Sequence, residues 1–415
     1  MRIGIPKLFY GWYIVAISGL IAFSSGPGQS YGFSVFLDSI IEDTALSRTQ
    51  VSLLYAIGTG VSAVMVAGVS RLADRFGPRI MAVTVAALMG VACFGMAGAV
   101  GTIQFFLAFA ALRAFGQGSL PINATLLTAT WFVAKRGKAM AIMGLGFAAS
   151  NAVIPPLGRF LIDTVGWREA YAVLGVMVWV LVIPAVLLFV RNSPEEMGLH
   201  PDGASHPPEE ESRLPTINGP QRDQRRVLSS STFWLIALPL AAPSLVVTAI
   251  IFHQTSIFEE RGLSADVAAF VFPIMAATSA VTAMIAGPIV DRIGPVKVVR
   301  FNLLILVVAL FYIQIVSSPL LAVLYAVLLG ISGGSWQIVS GVTWAHLYGR
   351  RGLGRIQGSA VMISITAAAV GPLPLSAMRD LTGDYTVALY AMAVVLIAGA
   401  IAIGFAHPER ARSGN

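Results

Sequence analysis

The amino-acid sequence predicts an all-α membrane protein with twelve transmembrane helices in two six-helix, pseudo-symmetric bundles. The 415 residues are 56% apolar and 11% charged, whereas about 25% of the residues in a soluble domain are charged. Apolar runs of about 20 residues, the length that crosses a bilayer as a helix, recur twelve times between charged breaks. A repeat along the chain then divides these runs into two similar halves.

The predicted spans form two sets of six. Barrel strands would be about half as long and would alternate in polarity, and only helices satisfy an open backbone in lipid. The run from Tyr13 to Phe36 is too long for the apolar part of a signal peptide, so we expect a retained first span. The spans cover residues 10–37, 50–71, 80–98, 103–130, 138–162, 168–190, 232–258, 266–289, 298–316, 319–346, 355–378 and 385–406.

One long polar segment separates the two sets. Residues 191–230 combine six prolines with mixed charge, a composition that cannot bury a core and is typical of a linker. We therefore expect an N-terminal six-helix bundle at 1–190, a cytoplasmic linker at 191–230 and a C-terminal six-helix bundle at 231–415.

The basic residues predict the orientation in the membrane. If the N-terminus is cytoplasmic, the inner loops and tails carry 21 of the 27 Lys and Arg residues, as the positive-inside rule requires. We therefore expect a multi-pass protein of the bacterial inner membrane with both termini in the cytoplasm. The isoelectric point near 9.7 follows from this topology, so it predicts no nucleic-acid partner. The single cysteine, Cys93, excludes an internal disulfide.

The internal repeat has a constant offset. Because 291 − 74, 380 − 163 and 333 − 116 all equal 217, three pairs of identical residues recur at the same spacing: Asp74 and Asp291, Asp163 and Asp380, Gly116 and Gly333. Parallel repeats of six spans related by an axis along the membrane normal are a transporter architecture.

The loop after the second span, RLADRFGPR at 71–79, is repeated as GPIVDRIGPVK at 287–297. Both stretches resemble the motif that follows the second span of major facilitator superfamily transporters, roughly Gly-x-x-x-Asp-Arg-x-Gly-Arg-Arg. The resemblance covers the whole chain and implies a cytoplasmic charge network that closes an inner gate. An Asp at a helix N-terminus and an Arg that pairs with carboxylates suit this role; a solvated basic loop is the alternative. The implied gating residues are Asp74, Arg75, Arg79, Asp291, Arg292 and Lys297.

Two further stretches narrow the resemblance. TWFVAKRGKAMAIMGLG at 130–146 and FYGWYIV at 9–15 are similar to sequences in bacterial relatives of the monocarboxylate transporters, which implies a small organic anion as substrate. The eighth predicted span, however, has no charge where many anion-carrying relatives place an arginine, and Tyr10 replaces their acidic residue before Gly-Trp.

Polar residues inside the spans are candidates for the substrate site, because a charge in hydrocarbon is costly and needs a reason. Arg113 is the one clear intramembrane charge; it could anchor a substrate carboxylate, or hydrogen-bond main-chain carbonyls of neighbouring helices. His253 and Gln254, in the outer half of span seven, could bind substrate, and the histidine could relay a proton. A position at the outer rim without such a role is the alternative for His253.

Spans one and ten supply the other candidates. Gly26-Pro27-Gly28 should break the first helix, and broken helices near the midplane often form substrate sites. We therefore expect Gln29 and Tyr31 to face a cavity, with glycine-mediated helix packing as the alternative. In span ten, Trp336 offers an aromatic wall and Gln337 an amide, and the indole N–H needs a partner.

These observations predict a secondary active transporter that moves a monocarboxylate or related organic anion by alternating access. A neutral or heteroaromatic, vitamin-like substrate, drug export and a membrane solute sensor are the alternatives. Every carboxylate lies at a span end or in a loop, so a co-transported proton or ion stays open. We expect no enzyme activity, metal or cofactor, and a monomer whose partners are the substrate and the bilayer. No GxxxxGK[ST] loop for ATP is present.

Overall fold

The computed structural model describes residues 9–44, 46–133, 135–204, 230–348 and 353–405, and it is helical nearly throughout. In the first half the helices are α1 Gly11–Phe23, α2 Ser30–Ser34, α3 Leu37–Thr44, α4 Arg48–Phe76, α5 Pro78–Ala97, α6 Thr102–Leu112, α7 Leu120–Trp131, α8 Arg136–Val165 and α9 Trp167–Phe189. In the second half they are α10 Ser231–Glu260, α11 Ala265–Ile293, α12 Pro295–Tyr312, α13 Pro319–Tyr348, α14 Leu353–Val370, α15 Pro372–Thr382 and α16 Thr386–Ala402.

The predicted fold class is confirmed. Among the described residues, ten helices are long and apolar enough to cross a membrane. They correspond to predicted spans three to twelve, with α6 and α7 joined into one span at Thr102–Trp131. The second predicted span is α4, and the first is built from α1, α2 and α3. The chain thus has the twelve-span, all-α architecture that its apolar runs predict.

The first span is broken where the sequence predicts a break. Residues Gly26–Gly28 form a 3-10 turn, and Gln29 after it is extended, with ψ of 159°. Proline lacks a backbone N–H and fixes φ, so the α-helical hydrogen-bond ladder cannot continue through this stretch. The break leaves main-chain carbonyls available to side chains from other helices.

The repeat reappears in the backbone conformation. Gly77 and Gly294, with φ of 83° and 84°, precede α5 and α12, and 294 − 77 = 217. Gly166 and Gly383, with φ of 89° and 79°, also differ by 217. Only glycine adopts such angles readily, so both halves use glycine at the same turns.

The chain clusters into two compact units. The first contains the described residues within 1–32, 61–154 and 161–217; the second contains those within 33–60, 155–160 and 218–415. Residues 33–60 therefore group with the C-terminal helices. The predicted boundaries at 190 and 230 stay a prediction, although residues 191–204 of the expected linker are folded, with 3-10 turns at Pro194–Met197 and Pro201–Gly203.

Small residues allow close helix packing inside each unit. In the first, a Cβ at Gly90 of α5 would lie 2.0 Å from Nε1 of Trp179 in α9, whose indole donates to the carbonyl of Ala87 at 3.0 Å. In the second, a Cβ at Gly334 of α13 would lie 2.3 Å from the carbonyl oxygen of Ser279 in α11. Such contacts replace the hydrophobic effect as the force that joins helices in lipid.

Candidate functional site

In the first unit, the fourth span contains a π-helix at Arg113–Ser119. The Ser119 hydroxyl donates to the carbonyl of Ala114 at 2.7 Å, five residues earlier, and the Asn123 amide donates to the carbonyl of Ser119 at 2.9 Å. Isolated π-helical turns are rare and occur frequently at functional sites. The segment begins at the residue that the sequence singles out as the intramembrane charge.

Arg113 lies against the break in the first span. Its side chain is 1% exposed, and Nη1 donates to the carbonyl of Gly28 at 2.9 Å. The two backbones touch here, because a Cβ at Gly116 would lie 2.7 Å from Cα of Gly28. The Ser62 hydroxyl donates to the carbonyl of Arg113 at 3.0 Å. The bond to Gly28 is a contact with a main-chain carbonyl, as expected if Arg113 has a structural role. Its role as an anchor for an anion stays a prediction.

Gln29 and Tyr31 follow the same break and are half-buried. The Gln29 amide donates to the Ser25 hydroxyl at 3.3 Å. The Tyr31 hydroxyl donates to Ser150 of α8 at 2.9 Å, and Ser150 donates to the carbonyl of Phe23 at 2.7 Å. The three predicted residues of this unit therefore cluster at one broken helix, where Ser150 links Tyr31 to the carbonyl of Phe23, the last residue of α1.

In the second unit, His253 and Gln254 of α10 are fully buried. Nε2 of His253 is 3.2 Å from the carbonyl of Pro372, which can only accept, so Nε2 carries the proton. Nδ1 then has no hydrogen-bond partner among the described residues. Gln254 donates to the carbonyl of Ala268 at 2.8 Å, and its Oε1 also lacks a described partner. Each side chain thus retains one buried acceptor that could receive a donor.

An ion pair in the second unit was missed by the sequence analysis. The carboxylate of Asp38 lies 2.5 Å from Nη2 of Arg48, and the Ser256 hydroxyl contacts its two oxygens at 2.8 and 2.7 Å. Arg48 also donates to Ser256 at 2.5 Å. The two charged residues are ten positions apart, near the two ends of the predicted loop between spans one and two, which is the only signal in the sequence. Ser256 lies one helical turn beyond His253.

Trp336 has the partner that its buried N–H requires. The indole Nε1 donates to the carbonyl of Leu240 in α10 at 3.1 Å, and the side chain is half-buried. The neighbouring Gln337 is exposed. Both remain candidates for contact with substrate.

The structure describes the side chains of the four predicted gate cations. Arg75, Arg292 and Lys297 are exposed, and the side chains of Asp74 and Asp291 lie outside the described part of the structure. Arg79 is fixed at the start of α5: its amide donates to Oδ1 of Asn192 at 3.1 Å and its Nη2 donates to the carbonyl of Leu187 at 2.6 Å. The charge network that the resemblance implies therefore stays a prediction.

Two side chains from the segment after the sixth span accept backbone N–H groups elsewhere in the first unit: Asn192 from Arg79 in α5, and Asp202 from the loop before α8. Asn192 is itself held by Glu196, whose carboxylate accepts from its backbone and side-chain nitrogens at 3.0 Å each. Asp202 accepts from the amides of Val133 and Lys135 at 2.9 Å each, immediately before α8. Sequence analysis treated this segment as linker and missed these contacts.

Within the described ranges, no three His, Cys, Asp or Glu side chains lie close enough together to hold a metal ion. The polar candidates are instead an arginine, amides and hydroxyls in the first unit and a histidine and amides in the second, groups that suit hydrogen bonding to a small solute.

The comparisons with known proteins agree with the fold. The family model described as Major Facilitator Superfamily matches residues 15–264 and 240–415. Monocarboxylate transporter 11 of Homo sapiens is 26% identical over 422 residues, covering 95% of this chain and 83% of that protein. The probable sulfoacetate transporter SauU of Cupriavidus necator is 28% identical over 167 residues, covering 39% of this chain and 38% of that protein. The match thus spans less than half the length of this relative.

A solved structure shows the same fold. The crystal structure of a D-xylose-proton symporter superposes with a TM-score of 0.73 at 14% identity, covering 97% of this chain and 99% of that one. The family match extends over nearly the whole sequence, and the helices have the architecture that it requires. The chain therefore belongs to the major facilitator superfamily, whose members are membrane transporters rather than enzymes.

Proposed function

We propose that the protein is a secondary active transporter that carries a small organic anion, a monocarboxylate or a related acid, across the bacterial inner membrane. The observation that carries this proposal is a buried arginine beside a broken helix. Arg113 is buried within the membrane span Thr102–Trp131 and donates to the carbonyl of Gly28. A cation is retained in such a place at a cost of several kcal/mol, which an anionic ligand would offset.

Arg113 can serve a carboxylate by exchanging partners. The guanidinium has five donors in a planar fork, and a carboxylate accepts two of them in parallel. Binding would replace one neutral carbonyl acceptor by a charged one in a region of low dielectric, where the attraction is strong. Gln29 and Tyr31, which follow the same break, would contribute an amide and a hydroxyl to the rest of the ligand.

Two of the relatives support an anionic substrate. Their names specify sulfoacetate and monocarboxylates. On this chain the second unit would contribute His253, Gln254, Trp336 and Gln337. The free acceptor of His253 makes it the candidate carrier of a co-transported proton.

Alternating access completes the proposed mechanism. In the outward-facing state the inner gate would be closed by the cations Arg75, Arg79, Arg292 and Lys297 with the carboxylates of Asp74 and Asp291, and these ion pairs would separate when the carrier opens inward. Both termini would lie in the cytoplasm. The carrier would work as a monomer.

A neutral or heteroaromatic substrate is the second candidate. Between Asp266 and Asp291, α11 carries no charge, so this membrane-spanning stretch offers no cation to an anion. Tyr31 and Trp336, with the amides of Gln29 and Gln337, would then hold a flat polar molecule.

A ligand-induced stability screen distinguishes these candidates. The purified transporter would be heated with acetate, lactate, sulfoacetate, succinate, benzoate or riboflavin at pH 5.5 and 7.5. Stabilisation by carboxylates that is absent in Arg113→Gln, and kept in the matched outer variant Arg159→Gln, supports the anion anchor. Stabilisation by carboxylates that persists in Arg113→Gln overturns the role of Arg113. Stabilisation by riboflavin alone supports the second candidate.

A further inference from the structure

Residues 191–204, which we call the clasp, follow the sixth span and fold back onto the first unit. Two side chains of the clasp accept backbone N–H groups, one in the first turn of α5 and the other in the loop that leads into α8. Asn192 accepts from the Arg79 amide in the first turn of α5 at 3.1 Å, and Asp202 accepts from Val133 and Lys135 just before α8 at 2.9 Å each. The first N–H groups of a helix have no partner within the helix, so Asn192 acts as a cap of α5 that is supplied from another part of the chain. Asp202 instead fixes the loop that leads into α8.

The geometry around Asn192 leaves little freedom. Its backbone and side-chain nitrogens both donate to Glu196 at 3.0 Å, which fixes the orientation of the amide. A Cβ at Gly77 would lie 2.5 Å from its Oδ1, so the turn before α5 packs directly on this side chain. Gly77 has φ of 83°, a conformation that glycine adopts readily. The turn between α4 and α5 is therefore shaped by Asn192 from outside.

Asp202 is held just as firmly. It is the one described non-glycine residue in the left-handed region, with φ of 60°, an uncommon conformation in which Asp is enriched. In this conformation its two carboxylate oxygens accept from the amides of Val133 and Lys135. The indole of Trp131 donates to the carbonyl of Arg191 at 3.2 Å, so both ends of the clasp are fixed to the segment before α8.

The clasp joins two loops that carry proposed gate residues or dense positive charge. The first is the turn at Gly77 between Arg75 and Arg79, and the second contains Lys135. We propose that the clasp is a positioning element for the inner gate: Asn192 and Asp202 fix the α4–α5 turn and the start of α8 so that Arg75 and Arg79 reach their partners when the gate closes. This inference depends on the gating role proposed above.

A clasp with this role affects the equilibrium between the closed and the open inner gate. A cap removed from Arg79 allows the first turn of α5 to fray, which displaces Arg79 and the preceding Arg75 from the positions that ion pairing requires. The closed inner gate is then less populated. A merely structural clasp would lower stability in every conformation and leave this equilibrium unchanged.

Distance measurements between two spin labels test this directly and need no substrate. Phe76 and Ile293 are exposed, end α4 and α11 at positions 217 residues apart, and directly precede the two turns. In a Cys93→Ser background, labels at Phe76→Cys and Ile293→Cys report the opening of the inner side by pulsed electron resonance in lipid nanodiscs. The gate variant Arg75→Ala serves as reference, and Glu195→Ala, an exposed acid of the clasp, as matched control.

We expect Asn192→Ala and Asp202→Ala to raise the long-distance population at least twofold, as Arg75→Ala does, and Glu195→Ala to leave it unchanged. Asp202→Asn, which keeps one acceptor oxygen, should give an intermediate value. If Asp202→Ala fails to fold, Asp202→Asn and Glu196→Gln, which keep the side-chain size, decide the result. A shift in Arg75→Ala without one in the clasp variants overturns the clasp inference alone. No shift in Arg75→Ala overturns the gating proposal, and the inference with it.

Discussion

Replacing Gly116 with alanine tests the backbone contact on which the position of Arg113 depends. The new Cβ would lie 2.7 Å from Cα of Gly28, 3.1 Å from its nitrogen and 3.0 Å from Cε of Met89. The methionine end can move, whereas the backbone of Gly28 cannot move alone. Ordinary carbon contacts lie at about 3.5–4.0 Å, so the broken first span and the π-helix must separate by about 1 Å.

The expected loss of stability in Gly116→Ala is the sum of two contributions. Overpacking of this kind costs about 1–3 kcal/mol. A separation of about 1 Å would stretch the 2.9 Å bond from Arg113 to Gly28 beyond hydrogen-bond range, and a bond to a charged group contributes about 1.5–3 kcal/mol. We therefore expect Gly116→Ala to lower the free energy of unfolding by about 2.5–6 kcal/mol.

Gly144→Ala is the matched control. Gly144 lies in α8 of the same unit, and nothing is within 4 Å of the position of its Cβ. An alanine there gains helix propensity of up to about 1 kcal/mol without a collision. The two substitutions are chemically identical and should have opposite effects on stability.

The single cysteine supplies the assay. Cys93 is fully buried in α5, so a thiol-reactive dye labels it only when the first unit unfolds. Denaturant titration with this readout gives the free energy of unfolding for each variant. If Gly116→Ala lies within about 0.5 kcal/mol of the wild type, the range of a neutral surface substitution, the contact is not as close as the structure has it and the reasoning is wrong.

Two other predictions concern charged groups of the second unit. Arg48 and Asp38 should couple by about 1–3 kcal/mol in a double-mutant cycle of Arg48→Met and Asp38→Asn, since both side chains are largely buried; a coupling near zero would show a solvent-screened pair. The side-chain hydroxyl of Thr386 donates to Asp384 at 2.7 Å and its backbone N–H donates at 2.6 Å. Both hydrogen bonds lower the pKa of the Asp384 carboxyl. Its stabilisation is therefore present above the ordinary aspartate pKa and is lost as the pH falls through the lowered folded-state value. The wild type should lose thermal stability over this acidic range more steeply than Asp384→Asn, and parallel pH profiles would refute the prediction.

Local sequence signals predict the helices and the break at Gly26–Gly28 because each depends on neighbouring residues. The twelve apolar runs reflect the apolar solvent. The Gly-Pro-Gly stretch combines a residue that lacks a backbone N–H with two residues of low helix propensity. The glycines at the turns before α5 and α12 also reflect a local requirement, because the positive φ of these turns favours glycine whatever the rest of the fold is.

Long-range polar contacts could not be predicted in this way. Ser256 meets Asp38 across 218 residues, and Asp202 reaches Val133 across 69. Nothing in the composition of either segment specifies its partner, since a carboxylate accepts equally well from any amide or hydroxyl. Arg113 is intermediate: its burial follows from its place in a span, whereas its bond to Gly28 follows only from the packing of two helices.

The common offset of 217 residues has a consequence for the ancestry of the chain. The position that corresponds to Arg113 is Gly330, because 330 − 113 = 217, and a Cβ there would lie 2.5 Å from Cβ of Thr278. If the halves descend from one duplicated gene, the glycine turns were retained in both copies, while this buried cation is present in one and sterically excluded from the other. Such a duplication would have kept the same helices and turns in both halves, while only the N-terminal half has a buried cation at this position.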